Sequence, residues 1–425
     1  MRRREAGPSP GRLAAHQGAL LVAAVVALAI NLRAAITSLP PVFPELESAL
    51  HVSASTLALL AAIPVLCFGV FSGAGAPLSR KFGEERVLGS ALALLAAGLL
   101  LRGLSPTVLL FPGTIVAGGA IALMNVLLPS LVKRRVPDRA GLVIGVYLLM
   151  LTGGAVVASL IAVPVFTAAG GGLSADSTAV RVSLGLWAGP ALLAAVVWLS
   201  QLRYRTVPEE RRPAGPGSEA SPSRRGGALA MRHSPLAWQV TLFMGLQSLT
   251  YYATLSWFPT MFRDRGISAV HAGDLLALMN LGNAATALLI PVLAYRAADQ
   301  RWLAAAANAA TGVGLFFAFF GPAAAAVPVM LLLGLGQGAT LGLGIFYTMA
   351  RAPDPVSAAS LSAFAQGVGY LIASLGPLAI GFLHSATGAW IVPGLVLLAV
   401  AVVQFITGWL GGRALTVTVG GAARV

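Results

Sequence analysis

The sequence predicts an all-α membrane protein, with twelve transmembrane helices in two six-helix bundles. Three observations lead there. The 425 residues are 57% hydrophobic and only 10% charged, where water-soluble domains carry about 25% charged residues; mean hydropathy is +0.84. The basic residues lie in short segments between apolar runs. A polar stretch near the middle divides those runs six and six.

The first six spans are predicted at 18–39, 54–77, 86–104, 107–132, 140–167 and 182–202. The last six are predicted at 236–259, 272–295, 302–320, 324–349, 357–383 and 389–411. Each run can cross a bilayer as a helix of about 20 residues, and a helix satisfies its own backbone groups in lipid. Residues 1–202 form the expected N-terminal bundle and 235–411 the C-terminal one. Residues 203–234, rich in Pro, Gly, Ser and Arg, read as a flexible cytoplasmic linker, and 412–425 as a cytoplasmic tail. Arg2, Arg3, Arg4 and Arg12 precede the first run. That run is long, lacks a small-residue cleavage site and reads as a retained helix rather than a signal peptide.

Charge sorts the loops. With the N-terminus inside, the inner segments hold 23 Lys and Arg residues; the outer loops hold Arg102, Arg181, Arg263 and Arg265. This asymmetry predicts both termini in the cytoplasm. It also explains the net charge of +14 as topology rather than as a nucleic-acid footprint. The single cysteine, Cys67, excludes an intramolecular disulfide and reads as a small buried hydrophobe.

The halves carry an internal repeat. Leu78–Leu88 aligns on Leu293–Leu303, pairing Lys81 with Arg296, Glu84 with Asp299 and Arg86 with Arg301. Arg135-Val-Pro137-Asp138 matches Arg351-Ala-Pro353-Asp354 at nearly the same offset. Parallel six-helix repeats place a substrate site between the halves near mid-membrane.

With its basic loop between spans two and three, this plan resembles the major facilitator superfamily. Arg80, Lys81, Gly83 and Arg86 fit the family's gating-loop motif, but Arg80 stands where the family has an Asp. A narrower resemblance, to the cyanate and 2-nitroimidazole transporters, rests on several segments. They are Asn31-Leu-Arg33-Ala-Ala-Ile-Thr37-Ser38, Asn125-Val-Leu-Leu-Pro129, Trp238-Gln-Val-Thr241, Gln247-Ser248, Tyr251-Tyr252, Trp257-Phe-Pro259 and Leu361–Tyr370. The resemblance implies a multi-pass protein of the bacterial plasma membrane that carries cyanate, a nitroimidazole-like compound or another small solute. It implies no cofactor; a proton is a candidate coupling ion and a monomer the expected unit.

Arg33 is the leading site candidate. It lies 15 residues after Gly18, about 22 Å along a helix, inside an apolar span. A guanidinium stays cationic there, and placing it in the membrane costs roughly 2.5–3.5 kcal/mol on insertion scales. Asn31 beside it and Thr37-Ser38 one turn later suggest a polar stripe that would bind a small anion rather than a side chain snorkelling to headgroups. Asn125 precedes Pro129 by four residues and serves equally as pathway group or kink repair. Gln247 and Tyr251 are four apart, as are Gln366 and Tyr370, and Asn280 and Asn283 are three apart, so each pair shares a helix face. With Gln337 they give the second half a polar interior. Trp257 fits the interfacial aromatic belt, and Glu45, Glu47, His271 and Asp274 read as solvated loop ends.

These residues point to secondary transport by alternating access, Arg33 being the cationic anchor. A drug or metabolite exporter is the alternative, and a transport-inactive sensor a different class. The chain has no G-x-x-x-x-G-K-[ST] phosphate loop. Its five histidines have no paired ligand spacing, which argues against a membrane enzyme.

Overall fold

The computed structural model describes residues 10–172, 174, 177–204, 206 and 228–417. Arg2, Arg3 and Arg4, residues 207–227 of the expected linker and 418–425 of the expected tail lie outside the described residues.

The chain folds into helices α1 (Pro10–Thr37), α2 (Phe43–Leu50), α3 (Ala54–Phe71), α4 (Gly75–Phe82), α5 (Glu84–Leu104), α6 (Leu110–Arg135), α7 (Ala140–Ala168), α8 (Thr178–Gly185) and α9 (Ala188–Trp198). The second half follows with α10 (Pro235–Asp264), α11 (Ala269–Arg296), α12 (Arg301–Phe320), α13 (Ala326–Ala350), α14 (Pro355–Thr387) and α15 (Ile391–Gly411). Two expected spans, the second and the sixth, are broken. The first, expected at 18–39, is intact in α1 and is followed by a 3₁₀ turn at Pro40–Val42 before α2, where proline cannot donate to a continuing helix. The second turns at Ser72–Ala74 between α3 and α4. The sixth divides into α8 and α9.

Among the described residues, eleven helices are long and apolar enough to span a membrane. The twelfth pass, α10, has the length at 30 residues but carries Gln239, Gln247, Ser248, Tyr251, Tyr252 and four threonines. Protein rather than lipid surrounds it: every residue from 247 to 262 is buried. A polar helix is admissible at membrane depth when other helices satisfy it.

The halves meet along two helix pairs, α3 with α14 and α7 with α11. Small residues allow the approach. A Cβ on Gly273 would sit 2.7 Å from Ser159 O, and one on Gly69 2.7 Å from the Leu371 side chain. The glycines Gly334 and Gly338 serve a contact inside one half instead. They seat α13 on α11 within the second half, where an added Cβ would lie 2.2 Å from Met279 O and 2.0 Å from Asn283 O. Small-xxx-small contacts of this kind fix one helix against another.

Candidate functional site

Burial along α1 changes at Arg33. Val22, Val26, Ile30 and Arg33 share one face and keep partial exposure, whereas every residue from Ala34 to Phe43 is buried. Helix α10 repeats the pattern: Gln239, Leu242 and Leu246 are partly exposed, and full burial begins at Gln247. Both helices therefore open toward their N-terminal ends and close beyond Arg33 and Gln247. The guanidinium sits at the floor of a one-sided opening.

The closed side is sealed by contacts between the halves. Arg263 pairs with Glu45 through both carboxylate oxygens, at 2.7 and 2.8 Å, and donates to Pro41 O at 3.3 Å. Phe43 packs on Trp257, with centroids 5.8 Å apart. Trp257, expected in the interfacial belt, is 1% exposed and donates to Pro377 O at 2.9 Å. Glu45, expected as a solvated loop end, is held in a partly buried ion pair. His271 and Asp274 remain exposed, 3.7 Å apart.

Arg33 lies at the junction of the halves. Its Nη1 donates to the Tyr251 hydroxyl at 2.5 Å, and its Cζ is 4.9 Å from the Tyr251 ring centroid, inside the roughly 6 Å range for cation–π attraction. The Tyr251 hydroxyl donates to Asn280 Oδ1 at 2.8 Å. Tyr252, Tyr370 and Tyr147 also lie within electrostatic reach of the guanidinium. Phe68 joins the ring edge-on to Tyr370 at 5.5 Å and to Tyr252 at 6.4 Å. Tyr147 donates to Asn125 Oδ1 at 3.2 Å. The enclosure thus draws on α1, α3, α6 and α7 from the first half and α10, α11 and α14 from the second. It presents one permanent cation, phenol groups and aromatic faces, a combination suited to a small anion or a planar, strongly dipolar solute.

The other candidates divide. Arg33, Asn125, Tyr251, Asn280 and Tyr370 come together here. Asn31 turns away and donates to Ala27 O and Pro190 O, tying α1 to α9. Gln247 donates to Met244 O and Ser248 Oγ on its own helix. Gln337 donates to Thr254 Oγ1 at 3.0 Å, leaving its Oε1 buried and unpartnered. Gln366 donates to Ser362 Oγ. Asn283 is buried on α11 beneath Gly338 of α13. In the loop, Arg80, Lys81 and Arg86 are exposed, and Gly83 links α4 to α5 with φ at 88°, a conformation suited to glycine. Tyr147, Tyr252 and Phe68 join the site although the sequence does not single them out as site residues. The available signal was a tyrosine in mid-span, away from the headgroup depth where tyrosine collects.

Residues 20–377 match the family model of the Major Facilitator Superfamily. The chain is 37% identical over 394 residues to the 2-nitroimidazole transporter of Escherichia coli (strain K12), covering 93% of this chain and 95% of that one. It is 30% identical over 376 residues to the cyanate transport protein CynX of the same organism, covering 86% and 90%. Among solved structures, a bacterial homologue of the human lysosomal transporter Spinster, inward-facing and occupied, superposes with a TM-score of 0.73 at 18% identity, covering 95% of this chain and 97% of that one. A helical fold with a site enclosed between two halves, and a family match over most of its length, make this chain a member of the major facilitator superfamily: a multi-pass membrane transporter of small solutes working by alternating access, and not an enzyme.

Proposed function

We propose that the chain carries a small anion such as cyanate, or a nitroimidazole-like compound, and that Arg33 is its anchor. The observation that carries this reading is a partly exposed arginine at the interface of the halves, bonded to Tyr251, with Tyr252 packed on that ring and Tyr147 and Tyr370 within electrostatic reach. A guanidinium grips planar acceptors through paired hydrogen bonds, and the aromatic faces exclude water around the bound solute. The two relatives named for nitroimidazole and cyanate support the solute class. The halves, 1–202 and 235–411, are proposed to rock as units about this site, with the linker 203–234 and tail 412–425 on the cytoplasmic side. The charge distribution supports an opening toward the cytoplasm. One chain supplies every group around Arg33, so the proposed unit is a monomer.

Flux of labelled cyanate and 2-nitroimidazole into proteoliposomes tests the reading. Arg33→Gln should abolish uptake while insertion and folding persist. Arg33→Lys, which keeps the charge but loses the planar fork, should retain roughly a tenth of the rate or less. Wild-type flux from Arg33→Gln removes Arg33 from the mechanism.

A further inference from the structure

The hydrogen bonds around Arg33 run in one direction. Asn280 Nδ2 donates to Leu276 O at 2.9 Å. A backbone carbonyl can only accept, so this contact fixes which end of the amide faces it. The amide oxygen is thereby turned to the Tyr251 hydroxyl, 2.8 Å away. A phenol has one proton, and here it is committed to Asn280. What Tyr251 offers Arg33 is an oxygen lone pair, at 2.5 Å. Leu276 and Asn280 belong to α11, Tyr251 to α10 and Arg33 to α1. The chain of donors thus begins in the first half and ends on a backbone carbonyl of the second.

An arginine with no acceptor would be an uncompensated charge at the floor of a semi-dry opening, which is costly. Tyr251 removes that cost while the site is empty. It does so with a neutral oxygen, a weaker partner for a guanidinium than an anion is. It also engages Nη1, one of the donors that a solute gripping that edge of the guanidinium through paired hydrogen bonds would use.

We propose that Tyr251 is a resident stand-in for the solute: its phenol oxygen, oriented by Asn280, holds Arg33 between transport events and is displaced when solute binds. This inference rests on the reading of Arg33 as the anchor. Two consequences follow. Displacement selects for solutes whose acceptor outcompetes a neutral phenol, which favours anions over alcohols. Displacement also breaks a hydrogen bond that joins the halves, so binding itself loosens the interface that must move. Tyr251 is then a specificity-determining group and Asn280 its positioning residue.

Tyr251→Phe tests this, because it removes the oxygen and keeps the ring that packs 5.2 Å from Tyr252. Equilibrium binding of cyanate and of 2-nitroimidazole would be measured by calorimetry on the purified full chain, beside flux. Removing a built-in competitor should tighten binding of both probes about tenfold, and maximal flux should fall. Asn280→Leu, which frees the phenol proton, should tighten binding by a smaller factor, about threefold. Damage to the fold weakens binding, so a gain in affinity is not a structural side effect.

Unchanged or weaker binding in Tyr251→Phe, with Arg33→Gln binding neither probe, overturns the stand-in role and leaves the anchor intact. If the wild type binds neither probe, or Arg33→Gln binds like wild type, the anchor reading falls and this inference with it.

Discussion

Glu85 follows the basic loop of the first half, and Gln300 stands at the equivalent place in the second. Both organise the same three-way junction, between that loop, the end of the fourth pass and the segment after the sixth. Glu85 receives Arg135 Nη1 at 3.0 Å, Thr206 N at 2.7 Å and Thr206 Oγ1 at 2.5 Å. Gln300 receives Arg351 Nη2 and donates its amide to Ala294 O and Ala297 O at 3.1 and 2.7 Å. The neighbours dictate the residue. Glu85 is met by donors alone, which suits a carboxylate; Gln300 has donors on one side and acceptors on the other, which only an amide can satisfy.

The cations differ accordingly. Arg135 has a carboxylate and keeps an 18% exposed side chain. Arg351 is 4% exposed and, among the described residues, has no carboxylate in direct contact. Its charge is spread over Gln300, Gly411 O at 2.9 Å and Gly412 O at 3.1 Å, the carbonyls that end α15, where the helix dipole favours a cation. Equivalent places in the two halves thus keep a junction while exchanging an ion pair for a cation held by neutral acceptors. Either way the loops are tied within their own half, as rigid moving bodies require.

The largest expected effect comes from Arg351→Leu. It strands Gln300 Oε1 and two glycine carbonyls, and should cost about 3 kcal/mol, read as a large drop in unfolding temperature in detergent. Wild-type stability would mean that the second junction is not a structural hub. Next is Gln300→Glu, which sets a carboxylate against two carbonyls; a loss of about 2 kcal/mol is expected. Its mirror, Glu85→Gln, places an NH₂ among donors and should cost about 1 kcal/mol. If either exchange is neutral, the neighbours do not dictate the residue and the comparison breaks.

The smallest effect concerns Asp299. The hydrogen bond from Arg301, at 2.7 Å, holds its carboxyl below the usual carboxylate range. A lowered folded-state pKa stabilises at neutral pH, and the contribution is lost as pH falls through that pKa. Asp299→Asn should therefore lower the melting temperature slightly at pH 7, and the difference should vanish in acid. A difference that persists in acid would show that packing, not charge, is what Asp299 supplies.

Much of this architecture was readable from length and charge, because lipid forces long apolar helices and the basic loops sort by side. The exceptions are instructive. Helix α10 fails a hydropathy test because its neighbours are other helices, a fact of tertiary structure. The expected end of the first span at 39, just ahead of Pro40-Pro41, lies within two residues of the end of α1 at Thr37. Arg33 was legible as a lone charge. Gln247 and Tyr251 share a spacing but not a role: one satisfies its own helix and the other reaches the opposite half. Phe68 gains its place only through the packing of α3 against α14, which no local pattern encodes.

The seam between α11 and α13 bears on how this lineage can vary. Changing a glycine codon to an alanine codon takes one nucleotide. At Gly338 the resulting methyl would meet Asn283 O at 2.0 Å, with Thr286 Oγ1 at 2.4 Å. That commonest of conservative replacements is barred there by backbone atoms, which have no rotamer to yield. The spacing of α11 and α13 is therefore set by main-chain contact, and a side chain of any size at this position would push the two helices apart.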